Sequence, residues 1–286
     1  SDLAGPNSLH ASYFEPMVRT PEDEEFEEAD GILADLRQKA ETGESDLLWG
    51  DCLERSWHDG MLRVTRSYGL GSSSFSVAPV IIHEFPYSAH PCSGVGGTGG
   101  LVWRGALALA ELLAERHELL ANAEVILEIG AGCGLPGLAV AAQLASRGRS
   151  AQVILTDGPE AVLENLAANV AANLEQVKPV MLKAERLVWE DFLAGRSPAP
   201  VENVDLLIGS DVIWGDRGGL VAEVAMHLVR PGGALVISAQ KGREGLDIFQ
   251  EVLKSARPPD MNGFNLEVKE VSYQGEDFQI FIGFRI

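Results

Sequence analysis

The chain has few cysteines, few basic residues and no long apolar run. Its cysteines, Cys52, Cys92 and Cys133, are an odd number at wide spacing, which fits neither a disulfide framework nor a zinc cluster and favours a reducing compartment. No apolar run reaches the roughly 18 residues of a membrane-spanning helix. Residues 1–30 carry acids in place of the basic and then apolar pattern of a secretory signal. We therefore expect a soluble protein of the cytoplasm, with the nucleus left open as a second location.

Basic residues are outnumbered by acidic ones, 22 Lys and Arg against 42 Asp and Glu, which gives a formal net charge of −20 at pH 7. A long nucleic-acid footprint needs clustered Lys and Arg, so nucleic acid is disfavoured as a partner. We expect no nucleic acid and no membrane as partner, and a monomer is favoured. A basic segment of a substrate protein is easier to accommodate.

The sequence divides into three parts. Residues 1–60 form an acidic leader with a run of acids at positions 22–28, which is either a solvated, partly disordered or helical segment or a docking site for a basic partner. Residues 61–100 are predicted as a β extension, with strands at 62–65 and 75–82, followed by a glycine-rich link at 93–100. The core is predicted to occupy residues 101–286.

The core alternates between buried strands and helices, which predicts a Rossmann-like α/β fold with a mostly parallel sheet covered on both faces. We predict helices at residues 104–120, 137–146, 159–173, 218–228 and 246–255. We predict seven strands, at residues 125–129, 153–156, 180–184, 205–209, 234–238, 266–273 and 278–285. The last two have no helix between them, so they are expected to form an antiparallel pair at one edge.

A glycine-rich turn follows the first core strand, with Glu128 ahead of Gly130, Gly132 and Gly134. Such a turn lets a ligand lie against bare backbone at a helix N-terminus. A dinucleotide fingerprint would need glycine where Leu135 stands. The spacing is similar to the signature of class I methyltransferases, in which the acid helps to hold the cationic end of the cofactor's methionine.

Two further signals support the same fold. Asp157 ends the second core strand, where an acid can accept hydrogen bonds from ribose hydroxyls; capping of the next helix is the alternative. The Pro-Gly-Gly sequence at 231–233 predicts a structural turn ahead of the fifth core strand.

The chain resembles the protein-lysine methyltransferases of family 16, the methyltransferase-like 21 group, over residues 75–238. Three segments carry the resemblance, at residues 99–103, 187–189 and 209–214. It implies a class I, seven-strand enzyme that binds S-adenosylmethionine and methylates lysine in a protein substrate. It implies cofactor contacts for Trp103, Glu128, Gly130, Gly132, Gly134, Asp157, Trp189 and Ser210. Core packing is the alternative role for the two tryptophans.

The family's Asp-x-x-Tyr motif reads Asp211-Val-Ile-Trp214 in this chain. We hypothesise that Asp211 orients the acceptor amine and receives or relays its proton, and that Trp214 shapes the channel and holds an ammonium by a cation–π contact. Loss of the tyrosine hydroxyl leaves arginine, histidine or a small-molecule nitrogen open as acceptor. A catalytically silent module that only binds the cofactor is the alternative from another class.

The remaining polar residues predict no further site. The histidines show no metal-ligand spacing, so no metal is expected. Asn165, Asn169 and Asn173 are interpreted as a polar helix face rather than cofactor ligands, and Cys133 as a small filler in the glycine turn.

Overall fold

The computed structural model describes residues 51–58, 61–69, 77–88, 98–255 and 263–286. Most of the predicted leader and most of the glycine-rich link lie outside these residues. The strands are β1 Asp51–His58, β2 Met61–Tyr68, β3 Val80–Ser88, β4 Val125–Glu128, β5 Gln152–Asp157, β6 Met181–Arg186, β7 Val204–Ser210, β8 Val229–Gln240, β9 Phe264–Tyr273 and β10 Glu276–Arg285. The α-helices are α1 Arg104–Glu115, α2 Leu135–Ser146, α3 Glu160–Asn173, α4 Trp189–Leu193, α5 Arg217–Leu228 and α6 Leu246–Lys254. Within these residues, no helix is long and apolar enough to cross a membrane.

Strands β4 to β10 form one seven-stranded sheet in the order β6-β5-β4-β7-β8-β10-β9. Neighbours from β6 to β8 pair in parallel, whereas β10 is antiparallel to both β8 and β9. The predicted Rossmann-like fold is therefore confirmed, as are the seven strands and the antiparallel edge pair. Strand β10 lies between β8 and the edge strand β9.

The sheet separates two apolar cores, because successive side chains of a strand point to opposite faces. Ile126 of β4 and Ile208 of β7 face a core shared with helices α1, α2 and α3. Leu127 and Leu207 face a second core formed with α5 and α6, against which α4 packs. Both faces are covered, which explains why the central strands read as continuous apolar runs.

Core element bounds differ from the sequence prediction at a few places. Helix α1 ends at Glu115, since Arg116 leaves the helical region with ψ of 51°, and a 3₁₀ turn continues at His117–Leu119. The Pro-Gly-Gly sequence lies inside β8, where the pairing with β7 shifts register and Gly232 has a φ of 75°. The predicted turn is thus an irregularity within a strand rather than a turn ahead of it. Helix α4 was not predicted, because its five residues are too short for a periodic pattern.

The N-terminal extension is a separate antiparallel sheet in the order β1-β2-β3. Strand β1 begins at Asp51, inside the segment assigned to the leader. The side chains of residues 51–55 are exposed. Because no face of this part of the strand is buried, its sequence lacks the alternation of apolar and polar residues by which a strand is predicted. Strand β3 begins at Val80, later than predicted, and Pro79 just before it has no N–H to donate to a strand ladder.

Three asparagines of α3 attach β3 to the core. Asn165, Asn169 and Asn173 are buried, at 5%, 0% and 0% exposure. Asn173 bonds the backbone of Ile81 in both directions, and Asn165 and Asn169 bond that of His83. Their interpretation as an ordinary polar helix face is corrected: the asparagines satisfy the backbone of β3 where it has no further strand beside it.

Candidate cofactor and acceptor site

The order of the sheet reverses between β4 and β7, and ligands of open α/β sheets bind outside the carboxyl ends of the strands at such a point. The glycine turn leaves β4 here, Asp157 ends β5, and Ser210 ends β7. The segment at 98–103 that precedes α1 meets the same edge, because Gly99 lies beside Gly132. The sequence-predicted site residues therefore converge on one crevice.

The glycine turn has a backbone that only glycine adopts readily. Gly130, Gly132 and Gly134 have φ values of 58°, 53° and 83°, the left-handed region in which a side chain is strained. A Cβ on Gly130 would lie 2.6 Å from Val212 Cγ1 and 3.4 Å from Trp189 Cζ2. The turn is therefore packed directly against the segment after β7 and against the indole of Trp189.

Glu128 has a buried carboxylate, of which one oxygen accepts a hydrogen bond and the other has no hydrogen-bond partner among the described residues. Oε2 accepts the backbone N–H of Gly137 at 2.9 Å, at the start of α2. In the described part of the chain, Oε1 is buried and has no hydrogen-bond partner. Burial raises the pKa of Glu128 to about 8, and the nearby Asp157 adds to the rise. An uncommitted buried oxygen suits a ligand that donates a hydrogen bond or carries positive charge.

Asp157 connects β5 to the glycine turn. Its Oδ2 accepts the N–H of Gly132 at 2.8 Å and its Oδ1 that of Gly158 at 2.8 Å. Burial raises its pKa, which these two backbone donors oppose. The helix-cap alternative is wrong, since α3 follows Pro159 without a side-chain cap. Each carboxylate oxygen keeps a second lone pair, so ribose hydroxyls remain suitable donors.

Asp211 follows β7 in a strained conformation, with a φ of 51°. Its own N–H donates to Ser238 O at 2.9 Å, and its carboxylate lies against the start of α1 at Gly105. Burial raises the pKa of this carboxylate, while Arg243 and the nearby backbone N–H groups of Gln240 and Gly105 oppose the rise. Among the described residues, Oδ1 is buried without a partner. Asp211 thus holds the start of α1 and keeps one oxygen for another group.

The aromatic wall of the acceptor side carries a cation of the chain itself. The Arg217 guanidinium carbon lies 4.6 Å from the ring centroid of Trp214 and 5.9 Å from that of Trp189. Arg217 also pairs with Glu190 at 3.2 Å. Trp214 is 36% exposed. This indole was predicted to hold a substrate ammonium, but in the structure the Arg217 guanidinium lies against it.

The remaining predicted residues take the following places. Trp103 is half-buried, and its Nε1 donates to Thr98 O at 2.7 Å. Ser210 is half-buried beside Ser238 of β8. Gly105, Gly137 and Arg217 were not predicted as site residues. The two glycines lie against the carboxylates of Asp211 and Glu128, and Arg217 lies against the indole of Trp214. These are tertiary contacts, which leave no pattern in the sequence.

The residues of this crevice suit S-adenosylmethionine. The turn offers bare backbone, Asp157 has acceptor capacity for a ribose, Trp189 offers an indole face, and Glu128 has an uncommitted buried oxygen. The individual contacts remain predictions. Together with a reversed strand between β8 and β9, these features define the class I methyltransferase fold.

A family model described as "Lysine methyltransferase" matches residues 92–256, and the chain belongs to this family. The protein N-terminal and lysine N-methyltransferase EFM7 of Yarrowia lipolytica is 29% identical over 191 residues, 59% of this chain and 66% of that protein. The protein-lysine N-methyltransferase EEF2KMT of Mus musculus is 32% identical over 127 residues, 42% of this chain and 36% of that protein. The chain thus covers less than two thirds of either relative's length.

Solved structures give weaker matches. The T. thermophilus 16S rRNA N2 G1207 methyltransferase (RsmC), solved with AdoMet and guanosine, superposes with a TM-score of 0.49. It is 18% identical and covers 86% of this chain and 61% of its own.

Proposed function

We propose that the protein transfers a methyl group from S-adenosylmethionine to lysine side chains of a protein substrate. The observation that carries the proposal is the position of Asp211, whose buried Oδ1 has no partner among the described residues and which follows β7 beside the glycine turn. Membership of the lysine methyltransferase family supports the same acceptor. Both relatives are named as lysine N-methyltransferases.

Cofactor binding falls to the carboxyl ends of β4 and β5. We assign the glycine turn, Glu128, Asp157, Trp103 and Trp189 to this task, and Ser210 lies at the border with the acceptor side. The cofactor supplies a methyl group on positively charged sulfur, which is already electrophilic. The protein's own contribution is therefore to align the acceptor nitrogen and to exclude water.

Asp211 provides the acceptor chemistry. A lysine amine attacks only when neutral, and a desolvated pocket lowers its pKa. Because burial raises the pKa of Asp211, its carboxylate is a better proton acceptor than an exposed aspartate. Oδ1 accepts the amine hydrogen bond and takes or relays the proton, while the backbone N–H groups of Gly105 and Gln240 hold the carboxylate in place.

Arg217 restricts how the acceptor enters. Its guanidinium lies over Trp214. The indole face alone would attract the ammonium of a charged lysine, but the guanidinium repels it there. Like charge favours the neutral amine, which is the reactive form. A basic segment around the target lysine remains our proposal from the charge of −20, as does a cytoplasmic location.

The proposal is tested by incubating a cell lysate with the protein and heavy-methyl S-adenosylmethionine, followed by mass spectrometry of proteins and metabolites. We expect heavy methyl groups on lysines of a protein. Methyl groups only on arginine, histidine or a metabolite would contradict the lysine assignment. Tight cofactor binding without any product would indicate a silent binding module.

The matched variant is Asp211→Asn, which keeps the size of the side chain and one oxygen for the backbone donors. We expect methyl transfer to fall by at least about 100-fold, the usual contribution of a positioned proton acceptor. The Kd for S-adenosylhomocysteine, measured by calorimetry, should stay within about threefold of the wild type. Full activity of this variant would remove Asp211 from the mechanism.

A further inference from the structure

The N-terminal sheet contains a buried ion pair between Glu84 and Arg66. Glu84 of β3 and Arg66 of β2 are 0% and 1% exposed, and Arg66 Nε lies 2.8 Å from Glu84 Oε2. Tyr68 donates its hydroxyl to the same oxygen at 3.1 Å. Two charges are removed from water here, which is favourable only when the surrounding hydrogen bonds are well made.

The second carboxylate oxygen of Glu84 accepts a hydrogen bond from outside the N-terminal sheet, on the cofactor side of the core. Oε1 accepts the backbone N–H of Val102 at 2.8 Å, and Val102 immediately precedes Trp103. Burial raises the pKa of Glu84, and the Val102 N–H, the Arg66 guanidinium and the Tyr68 hydroxyl oppose that rise. A hydrogen bond from a backbone N–H to a carboxylate that is paired with an arginine is among the stronger kinds. One side chain therefore links the N-terminal sheet to the segment at residues 98–103.

That segment lies across the glycine turn. Gly99 O accepts the thiol of Cys133 at 3.6 Å and would be 3.4 Å from a Cβ on Gly132. Trp103 closes the segment on itself by donating to Thr98 O. A shift of Val102 would therefore move the backbone that borders the cofactor turn.

A second link from β3 reaches the same turn. Asn169 Oδ1 accepts the N–H of His83 at 2.7 Å, and its Nδ2 donates to Cys133 O at 3.0 Å. His83 is the residue before Glu84. The position of Glu84 is thus fixed relative to the glycine turn from both sides.

We propose that Glu84 is a positioning residue for the cofactor site, holding residues 98–103 against the glycine turn through the Val102 N–H. Strand β3 precedes residues 92–256, which the family model matches, so the sheet supplies the core with a contact from outside the matched region. This inference rests on the proposed binding of S-adenosylmethionine. It assigns to the N-terminal sheet a part in forming that site.

The test uses the full chain with Glu84→Gln, which keeps the shape but removes the charge. We expect the Kd for S-adenosylhomocysteine, measured by calorimetry, to rise by about tenfold or more, the size expected for losing a hydrogen bond to a charged group. The amide proton resonance of Val102 should also move upfield by NMR as its charged acceptor is lost. A variant that only lowered the stability of the N-terminal sheet, with its bond to Val102 unchanged, would leave this resonance in place; a shift of the resonance together with a weaker Kd is the result expected of a positioning residue.

Asn173→Ala is the matched control. Asn173 holds the start of β3 through Ile81 and forms no hydrogen bond with Glu84 or Val102, so we expect its loss to lower the melting temperature while the bond between Glu84 and Val102 remains. We expect its Kd to stay within about threefold of the wild type. If Glu84→Gln does not fold, Glu84→Asp supplies the test, since it keeps the charge facing Arg66 but retracts the carboxylate from Val102, and a weakened Kd is again expected.

Two results would overturn the inference: unchanged affinity in the folded Glu84 variants, or equal weakening in Asn173→Ala. Failure of the wild type to bind S-adenosylhomocysteine would instead count against the proposed function. The two failures are therefore distinguishable in one set of titrations.

Discussion

Glu128 and Asp211 are two carboxylates at the same edge of the sheet, and each lies against the backbone of a glycine at the start of a helix, Gly137 in α2 and Gly105 in α1. Glu128 does so from the last position of a regular strand. Asp211 does so from a left-handed backbone with a φ of 51°, a conformation that costs a non-glycine residue about 1–3 kcal/mol. The cofactor half is thus built from regular structure, whereas the acceptor half depends on a strained residue held by its neighbours.

The two halves also differ in exposure. Glu128 is 1% exposed and Asp157 bonds backbone on both oxygens, so the cofactor half has little freedom to rearrange. On the acceptor side, Trp214 is 36% exposed and is covered by a long, flexible arginine. This difference suits a constant cofactor on one side and a protein segment that must enter and leave on the other.

Gly105→Ala is expected to break the acceptor half. A Cβ at this position would lie 2.1 Å from Asp211 Oδ2, so the carboxylate has to move. Misplacement of a catalytic group by about 1 Å costs on the order of 100-fold in rate, and we expect that loss in the lysate methyl-transfer assay. The Kd for S-adenosylhomocysteine should stay within about threefold.

The control for this variant is Gly219→Ala in α5, where the nearest atom to the added Cβ is Ile248 Cγ2 at 3.4 Å. We expect both its rate and its cofactor affinity to match the wild type. A Gly105→Ala protein that is as active as Gly219→Ala would show that the position of Asp211 does not limit the reaction.

Gly137→Ala is the corresponding change in the cofactor half. Its Cβ would lie 2.5 Å from Glu128 Oε2 and 2.9 Å from Leu155 Cγ, and overpacking of this kind costs about 1–3 kcal/mol. We expect a Kd for S-adenosylhomocysteine about tenfold weaker by calorimetry, which is about 1.4 kcal/mol. If Gly105→Ala weakens cofactor binding and Gly137→Ala does not, the division of the crevice into two halves is wrong.

The parts of the site that could be predicted from sequence are those that local backbone chemistry dictates. Glycine is required at positions 130, 132 and 134 because the φ values there are above 50°. The spacing of these glycines in the sequence predicted the turn. Continuous apolar runs predicted the central strands, because both faces of the sheet are buried and both sets of side chains are apolar.

The rest depends on contacts between distant segments. Asn165, Asn169 and Asn173 have the spacing of an exposed helix face, and only the position of β3 shows that they are buried. Strand β1 could not be recognised because the side chains of residues 51–55 are exposed. Glu84 contacts Val102 because strand β3 packs beside α3, and no local pattern in the sequence encodes that contact.

The last prediction is a pH dependence of stability that belongs to the cofactor half. The pKa of Glu128 is about 8 in the folded protein, above the ordinary 4.5 of a glutamate. Between these values the folded state binds more protons than the unfolded state, so stability falls as the pH rises through this window. The slope from this carboxyl is at most about 1.4 kcal/mol per pH unit.

Glu128→Gln removes this contribution, while Asp157, whose pKa is raised by the same cause, keeps its own. Urea unfolding of the ligand-free protein at pH 5.5, 6.5 and 7.5 should therefore show wild type and variant diverging, with the variant increasingly favoured at high pH. Parallel curves would mean that Glu128 is already ionised in the folded protein. The oxygen of Glu128 that has no partner among the described residues would then be hydrated in solution. Glu128 would no longer differ from Asp211 in its electrostatics, but the difference between a regular strand at Glu128 and a left-handed backbone at Asp211 would remain.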